Sequence, residues 1–139
     1  RRFMTAVLLR WNSAENRMYY TGCGHEHILV YRKAQQMCEV KQTGGIALGM
    51  VPDISRIIRE EQISFNAGDY IVLYSDGIVE AKSISGEMFG VDRLKQSVER
   101  YASTCTPEEL FTNISKDFAF FVGEQLQGDD ITLIVIKRL

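Results

Sequence analysis

Gly68-Asp69-Tyr70-Ile71-Val72-Leu73-Tyr74-Ser75-Asp76-Gly77 is the stretch on which the fold turns. Tyr70 to Tyr74 is an unbroken apolar run. Asn66-Ala67-Gly68-Asp69 precedes it as a turn, and Ser75-Asp76-Gly77 closes it. Such a run between turn signals predicts a central strand buried on both faces. The strand delivers a carboxylate, Asp76, to its end, with a glycine behind it. Strand ends hold side chains on rigid scaffold at the rims of clefts, and glycine lets a ligand or water approach closely. Taken alone, the simpler reading is an Asp that opens a turn, with Gly77 at positive φ.

N-terminal to this strand the chain reads as further strands. Phe3 to Trp11, a polar turn at 12–16 and Arg17 to Gly22 predict one hairpin. His27 to Tyr31, a turn at 32–35 and Met37 to Val40 predict a second. Gly44-Gly45, Gly49 and Pro52 mark a loop. In Ser55 to Phe65, the spacing of Ile57, Ile63 and Phe65 at period two favours a half-buried strand over a solvated helix.

C-terminal to it the period changes. Val91, Leu94, Val98 and Tyr101 fall on one face of a helix. Thr106-Pro107-Glu108-Glu109 is a helix start, with Thr as N-cap, Pro in the first turn and Glu at the third position. That helix is expected to run to about Leu126 and to end at Gly128. Ile131 to Ile136 then reads as one final buried strand. Strands followed by helices predict an α+β layered fold rather than alternating βαβ units.

A second acidic pair, Asp129-Asp130, sits between the helix end and the last strand, in Gly128-Asp129-Asp130-Ile131-Thr132. Adjacent carboxylates repel, and a divalent cation relieves that repulsion. Hard cations such as Mg²⁺ or Mn²⁺ favour oxygen ligands of this kind. A solvated polar turn accounts for the pair equally well in isolation. If the two strands are neighbours, Asp76 and Asp129 converge.

Composition narrows the classes. The chain has 139 residues, 45% hydrophobic and 24% charged, with a formal net charge of −2. This suits one globular domain and gives no electrostatic footprint for nucleic acid or direct membrane contact. No apolar run approaches a membrane span. Cys23, Cys38 and Cys105 form neither a disulfide framework nor a zinc pair, so a reducing cytoplasm is expected. The opening Arg1-Arg2-Phe3-Met4-Thr5 enters an apolar run at once, as a piece of a longer protein would. The two histidines, His25 and His27, stand at i, i+2, which on a strand would let them face one side as a metal pair; the favoured reading is that His25 satisfies a turn.

Read together, these segments resemble the SpoIIE/RsbU branch of the PPM (protein phosphatase 2C-like) serine/threonine phosphatases. Leu73-Tyr74-Ser75-Asp76-Gly77-Ile78-Val79-Glu80-Ala81 is similar to that branch's "LYSDGxxEA", with Gly68-Asp69 as its preceding "GD". Glu87-Met88-Phe89-Gly90 with Arg93-Leu94 is similar to "e.fG..rL", and Asp129-Asp130-Ile131-Thr132 to the terminal "DDxT". Tyr20 to His25 resembles "naGH", and Ala47-Leu48-Gly49 resembles "pLG". The matches follow the family's order across essentially the whole chain.

The resemblance implies a PPM-type αββα sandwich, of which residues 1–139 form the C-terminal part. It implies metal ligands at Asp76 and Asp129, with Asp130 a lesser candidate and Gly77 shaping the site. The cofactor implied is Mn²⁺ or Mg²⁺, two ions in a complete site, activating water for in-line attack on a phosphoserine or phosphothreonine. The substrate implied is a phosphoprotein of the anti-sigma-factor antagonist kind, in bacterial signalling. The family's first metal motif, a "GDxxGHG"-like segment, has no counterpart here, so weak activity of the chain alone is expected. A homodimer, or association with a missing N-terminal half, would cover residues such as Phe3, Val7, Leu9, Ile71, Leu73, Leu133 and Val135. The alternative is a non-catalytic interaction or dimerisation module derived from a phosphatase.

Overall fold

Alternation along the central strand organises the molecule. A computed structural model describes residues 2–139. Its elements are β1 (Ala6–Asn12), β2 (Arg17–Cys23), β3 (Ile28–Arg32), β4 (Met37–Lys41), β5 (Glu60–Ser64), β6 (Tyr70–Tyr74), α1 (Asp76–Val79), α2 (Gly90–Tyr101), α3 (Pro107–Val122) and β7 (Leu133–Lys137). One sheet has the order β1-β2-β5 and the other β4-β3-β6-β7, with every neighbouring pair antiparallel. Tyr70, Val72 and Tyr74 of β6 point into a core with Leu29 and Tyr31 of β3 and with Leu94, Val98, Leu110 and Ile114 of the helices. Ile71 points the other way, into a core between the sheets with Met18, Tyr20, Ile28, Val30 and Ile63. The apolar run 70–74 thus serves two cores, and the layers are sheet, sheet, helices. The α+β class read from the sequence holds.

Both expected hairpins form. The Asn12 side chain accepts hydrogen bonds from the N–H groups of Ala14 (3.1 Å) and Glu15 (3.3 Å), an Asx turn that reverses the chain. Asn16 and Gln36 take φ of 52° and 54° to close the two turns. Helix α3 opens with the expected capping box: Thr106 accepts from the Glu109 N–H while the Glu109 side chain accepts from the Thr106 N–H. Helices α2 and α3 are tied at Asp117, which accepts from Ser97 (2.6 Å), Tyr101 (3.1 Å) and Arg100 (3.3 Å).

Several expectations are corrected. Helix α3 ends at Val122, capped by Gly123 at φ 64°, short of Leu126 and Gly128. Gly123 breaks the helix first, at a φ/ψ of 64°/−133° that suits glycine alone, and Leu126 beyond it is solvated. Of Ser55 to Phe65, only Glu60–Ser64 is strand; residues 55–57 form a turn and Ile57 packs in neither core. Ser55 donates its backbone N–H to Asp53 (2.9 Å), which favours the turn over extension. The last strand is half-buried rather than buried, because β7 lies at the edge of its sheet. Val7, Leu9, Ile71, Leu73, Leu133 and Val135, expected to outnumber their cover, pack in the two cores, since a second sheet is present. Phe3 remains exposed.

The outer face of the three-stranded sheet is largely polar. Arg10 pairs with Glu60 (2.9 Å), Arg17 donates to Gln62 (2.8 Å), and the Arg10 guanidinium lies 4.3 Å from the Tyr19 ring centre. Gly68-Asp69 has a structural role. The buried Asp69 carboxylate accepts from Arg32 (3.2 Å), the Lys33 N–H (3.0 Å) and the Asn66 N–H (3.1 Å). It joins the β3–β4 turn to the turn before β6.

Replacing Asp69 by Ala strands the Lys33 and Asn66 N–H donors and leaves the mostly buried Arg32 guanidinium with Glu39 as its one carboxylate partner, so urea unfolding should show a loss of about 2–4 kcal/mol. Glu39, the half-buried second partner of Arg32, is held below the usual carboxylate range first by its bond to that guanidinium and then by Lys41. A lowered pKa stabilises the fold above the ordinary carboxylate range and is lost as pH falls through the lowered value. Glu39→Gln should therefore cost under about 0.5 kcal/mol at pH 7, because solvent screens the pair. That difference should vanish in acid.

Candidate metal centre

Strand β6 ends at Tyr74, and the next three residues meet the segment that enters β7. Ser75 donates its N–H to the Thr132 carbonyl (3.0 Å). The Thr132 N–H donates to Ser75 Oγ (2.9 Å), and Ser75 Oγ donates to the Asp130 carbonyl (3.1 Å). Ser75 is extended, at φ −91° and ψ 163°, and Asp76 begins the short helix α1. That helix, four residues long, is too short to show a periodicity in the sequence.

Gly77 lies inside α1, and its φ is not positive. The glycine is needed for proximity instead: a Cβ there would stand 2.2 Å from the Asp130 carbonyl oxygen and 3.6 Å from the Asp129 carbonyl carbon. The backbone of 129–130 rests on the bare Cα of Gly77. This contact brings the Asp76 and Asp129-Asp130 segments together, and Gly77 shapes their meeting. The Asp129 carboxylate accepts from the Asp130 N–H (2.7 Å), and its carbonyl accepts from the Gln127 side chain (2.7 Å).

All three aspartates are exposed. Their oxygens suit a hard divalent cation. Among the described residues, however, no group of three or more His, Cys, Asp or Glu side chains is placed to hold one. The donor chemistry fits and the ligand set is incomplete.

Other segments reach the same end of the sheets. Strand β3 runs antiparallel to β6 with Leu29 opposite Val72, so residues before Ile28 emerge where β6 delivers Asp76. Burial, and then the charge of Glu26, pushes the Tyr74 phenol up to about 12. Strand β4 also ends here, with Lys41 opposite Ile28, and leads into Thr43-Gly44-Gly45. A Cβ on Gly22 would stand 2.0 Å from the Thr43 carbonyl oxygen, and one on Gly45 2.0 Å from the Gly22 carbonyl oxygen. The two segments clasp through glycine. Sequence reasoning saw Gly44-Gly45 only as a loop; the clasp needs the contact itself to be seen.

The family model of Stage II sporulation protein E (SpoIIE) matches residues 1–139. The phosphoserine phosphatase RsbU of Bacillus subtilis is 28% identical over 136 residues, which is 98% of this chain and 39% of RsbU. The chain spans well under half the length of the curated relatives it matches. The SiaA-PP2C domain of Pseudomonas aeruginosa superposes with a TM-score of 0.81 at 19% identity, over 97% of this chain and 51% of that one. The manganese-soaked phosphatase domain of SpoIIE from Bacillus subtilis gives 0.71 at 16% identity, over 96% and 56%. The chain therefore belongs to the SpoIIE family, with the fold of the PP2C-type phosphatase domains of SpoIIE and RsbU kind.

Proposed function

We propose that the protein containing this chain hydrolyses phosphoserine or phosphothreonine on a protein substrate, with Mn²⁺ or Mg²⁺ held in part by Asp76 and Asp129. The observation that carries the reading is the seating of the 129–130 backbone on Gly77, which puts two carboxylate-bearing segments side by side. When bound, the cations supply a Lewis acid that activates water near neutral pH and offsets phosphoryl charge. Asp76 and Asp129 contribute oxygen ligands from two elements locked by Ser75 and Thr132. Asp130 contributes chiefly through its carbonyl contact with Gly77, and its side chain is the lesser ligand. The remaining ligands come from outside these residues, from further sequence of the same protein or from a second copy.

The substrate of this reading is a phosphoprotein of the anti-sigma-factor antagonist kind, supported by the likeness to RsbU. The manganese soak of the SpoIIE domain supports the choice of metal. Three free cysteines, two of them buried, suit action in the cytoplasm. Among the described residues no helix is long and apolar enough to cross a membrane. The incomplete ligand set favours a second reading, a non-catalytic module that binds partners.

In the whole protein, Asp76→Asn should cut metal-dependent release of phosphate from a phosphoserine peptide by at least about a hundredfold. Its unfolding transition should stay close to wild type, because losing one exposed charge relieves carboxylate repulsion. Full activity in the folded variant would refute the assignment, and an inactive wild type with either metal would favour the non-catalytic reading. Gly77→Ala should also lower activity strongly. Its methyl group must displace the Asp130 carbonyl, and a stability loss of about 1–3 kcal/mol should accompany the effect.

A further inference from the structure

The Gly24–His27 segment is fastened more firmly than a link between strands requires. Thr43 Oγ1 lies 2.7 Å from the His25 carbonyl and 3.2 Å from that of Glu26, donating to both. The Gly24 N–H donates to the Gly44 carbonyl (3.1 Å), and Gly24 bridges Ala6. Gly24 holds φ +69°, with the Ala47 nitrogen 2.8 Å from where a Cβ would stand. The backbone of His25 is thus fixed at the end of the sheets where β6 delivers Asp76.

The imidazole is fixed too. His25 Nδ1 lies 3.2 Å from Thr5 Oγ1, while Nε2 makes no hydrogen bond among the described residues. The contact fits either tautomer; in the one where the Thr5 hydroxyl donates to Nδ1, the proton of the neutral ring sits on Nε2. In that tautomer Nε2 is a donor suited to an anionic oxygen, and it has no lone pair for a metal.

We propose that His25 is a positioning residue for the substrate's phosphoryl group, its ring oriented by Thr5 and its Nε2 donating a hydrogen bond to a phosphoryl oxygen. This rests on the phosphatase reading. Phosphoryl oxygens are strong acceptors, and a donor fixed in advance on a clasped loop aligns the group without ordering a flexible side chain at the moment of binding. The sequence pointed to a turn residue or a metal pair with His27, because Thr5 and Thr43, which contact His25, are remote from it in the chain.

The test uses the whole protein loaded with Mn²⁺. Two quantities are measured for wild type, His25→Ala, His25→Gln and Thr5→Val: equilibrium affinity for inorganic phosphate, and kcat and KM on a phosphoserine peptide. His25→Ala should weaken phosphate binding and lower kcat/KM, each by roughly tenfold to a hundredfold, with Mn²⁺ affinity unchanged. His25→Gln keeps an N–H donor at similar reach and should recover part of both, and Thr5→Val should shift both the same way. If His25→Ala fails to fold, His25→Gln and Thr5→Val decide. Unchanged phosphate affinity in the folded variants overturns the proposal, as does a fall in Mn²⁺ affinity, which would make His25 a metal ligand. A wild type that hydrolyses no phosphoserine with Mn²⁺ or Mg²⁺ overturns the phosphatase reading itself, and that result appears before any variant is made.

Discussion

Strand β6 buries both of its faces, and the rest of the structure is arranged around that demand. A strand with Tyr, Val and Tyr on one side and Ile on the other needs cover above and below. Helices α2 and α3 supply one cover and the three-stranded sheet the other. Because β6 is central, flanked by β3 and β7, its end lies beside the ends of two other strands. Asp76, the Gly24–His27 segment and the Asp129–Thr132 segment meet there because the strands that carry them must bury β6. The position of the candidate centre is in this sense a consequence of core packing.

Close backbone approach then does what side chains cannot. Gly77 accepts the Asp130 carbonyl, and Gly22 and Gly45 accept each other's segments. Each contact leaves no room for a Cβ. Glycine here is required mainly by distance, and at Gly45 by a φ of +74° as well. Hydrogen bonds from Ser75 and Thr132 hold the acidic loop in register once the glycine admits it. The aspartates stay exposed while their backbones are locked, so no buried charge has to be offset at this end of the sheets.

Much of this was legible in the sequence, for identifiable reasons. Tyr70–Tyr74 stood out because a run that serves two cores has no polar face. The hairpins were visible in their turn residues, and the start of α3 in Thr106, Pro107 and Glu109. The end of α3 was misplaced because the apolar pattern continues to Leu126 after Gly123 has already turned the chain. Ile57 and β7 were misjudged because edge position and packing are tertiary facts that a period of two does not encode. That the backbones of 76–77 and 129–130 meet follows from their places at the ends of two neighbouring apolar strands. The seating on Gly77 and the fastening of His25 were not legible, since each depends on residues remote in the chain.

The central claim is that Asp76 and Asp129 act on one cation. Manganese titration of the whole protein, followed by the paramagnetic resonance of free Mn²⁺, tests it most directly in wild type, Asp76→Asn, Asp129→Asn and the double variant. Two ligands of one ion are coupled, so the double variant should bind little more weakly than either single variant, with each single weakened by about tenfold or more. Manganese affinity at the wild-type level in both folded single variants would contradict the account.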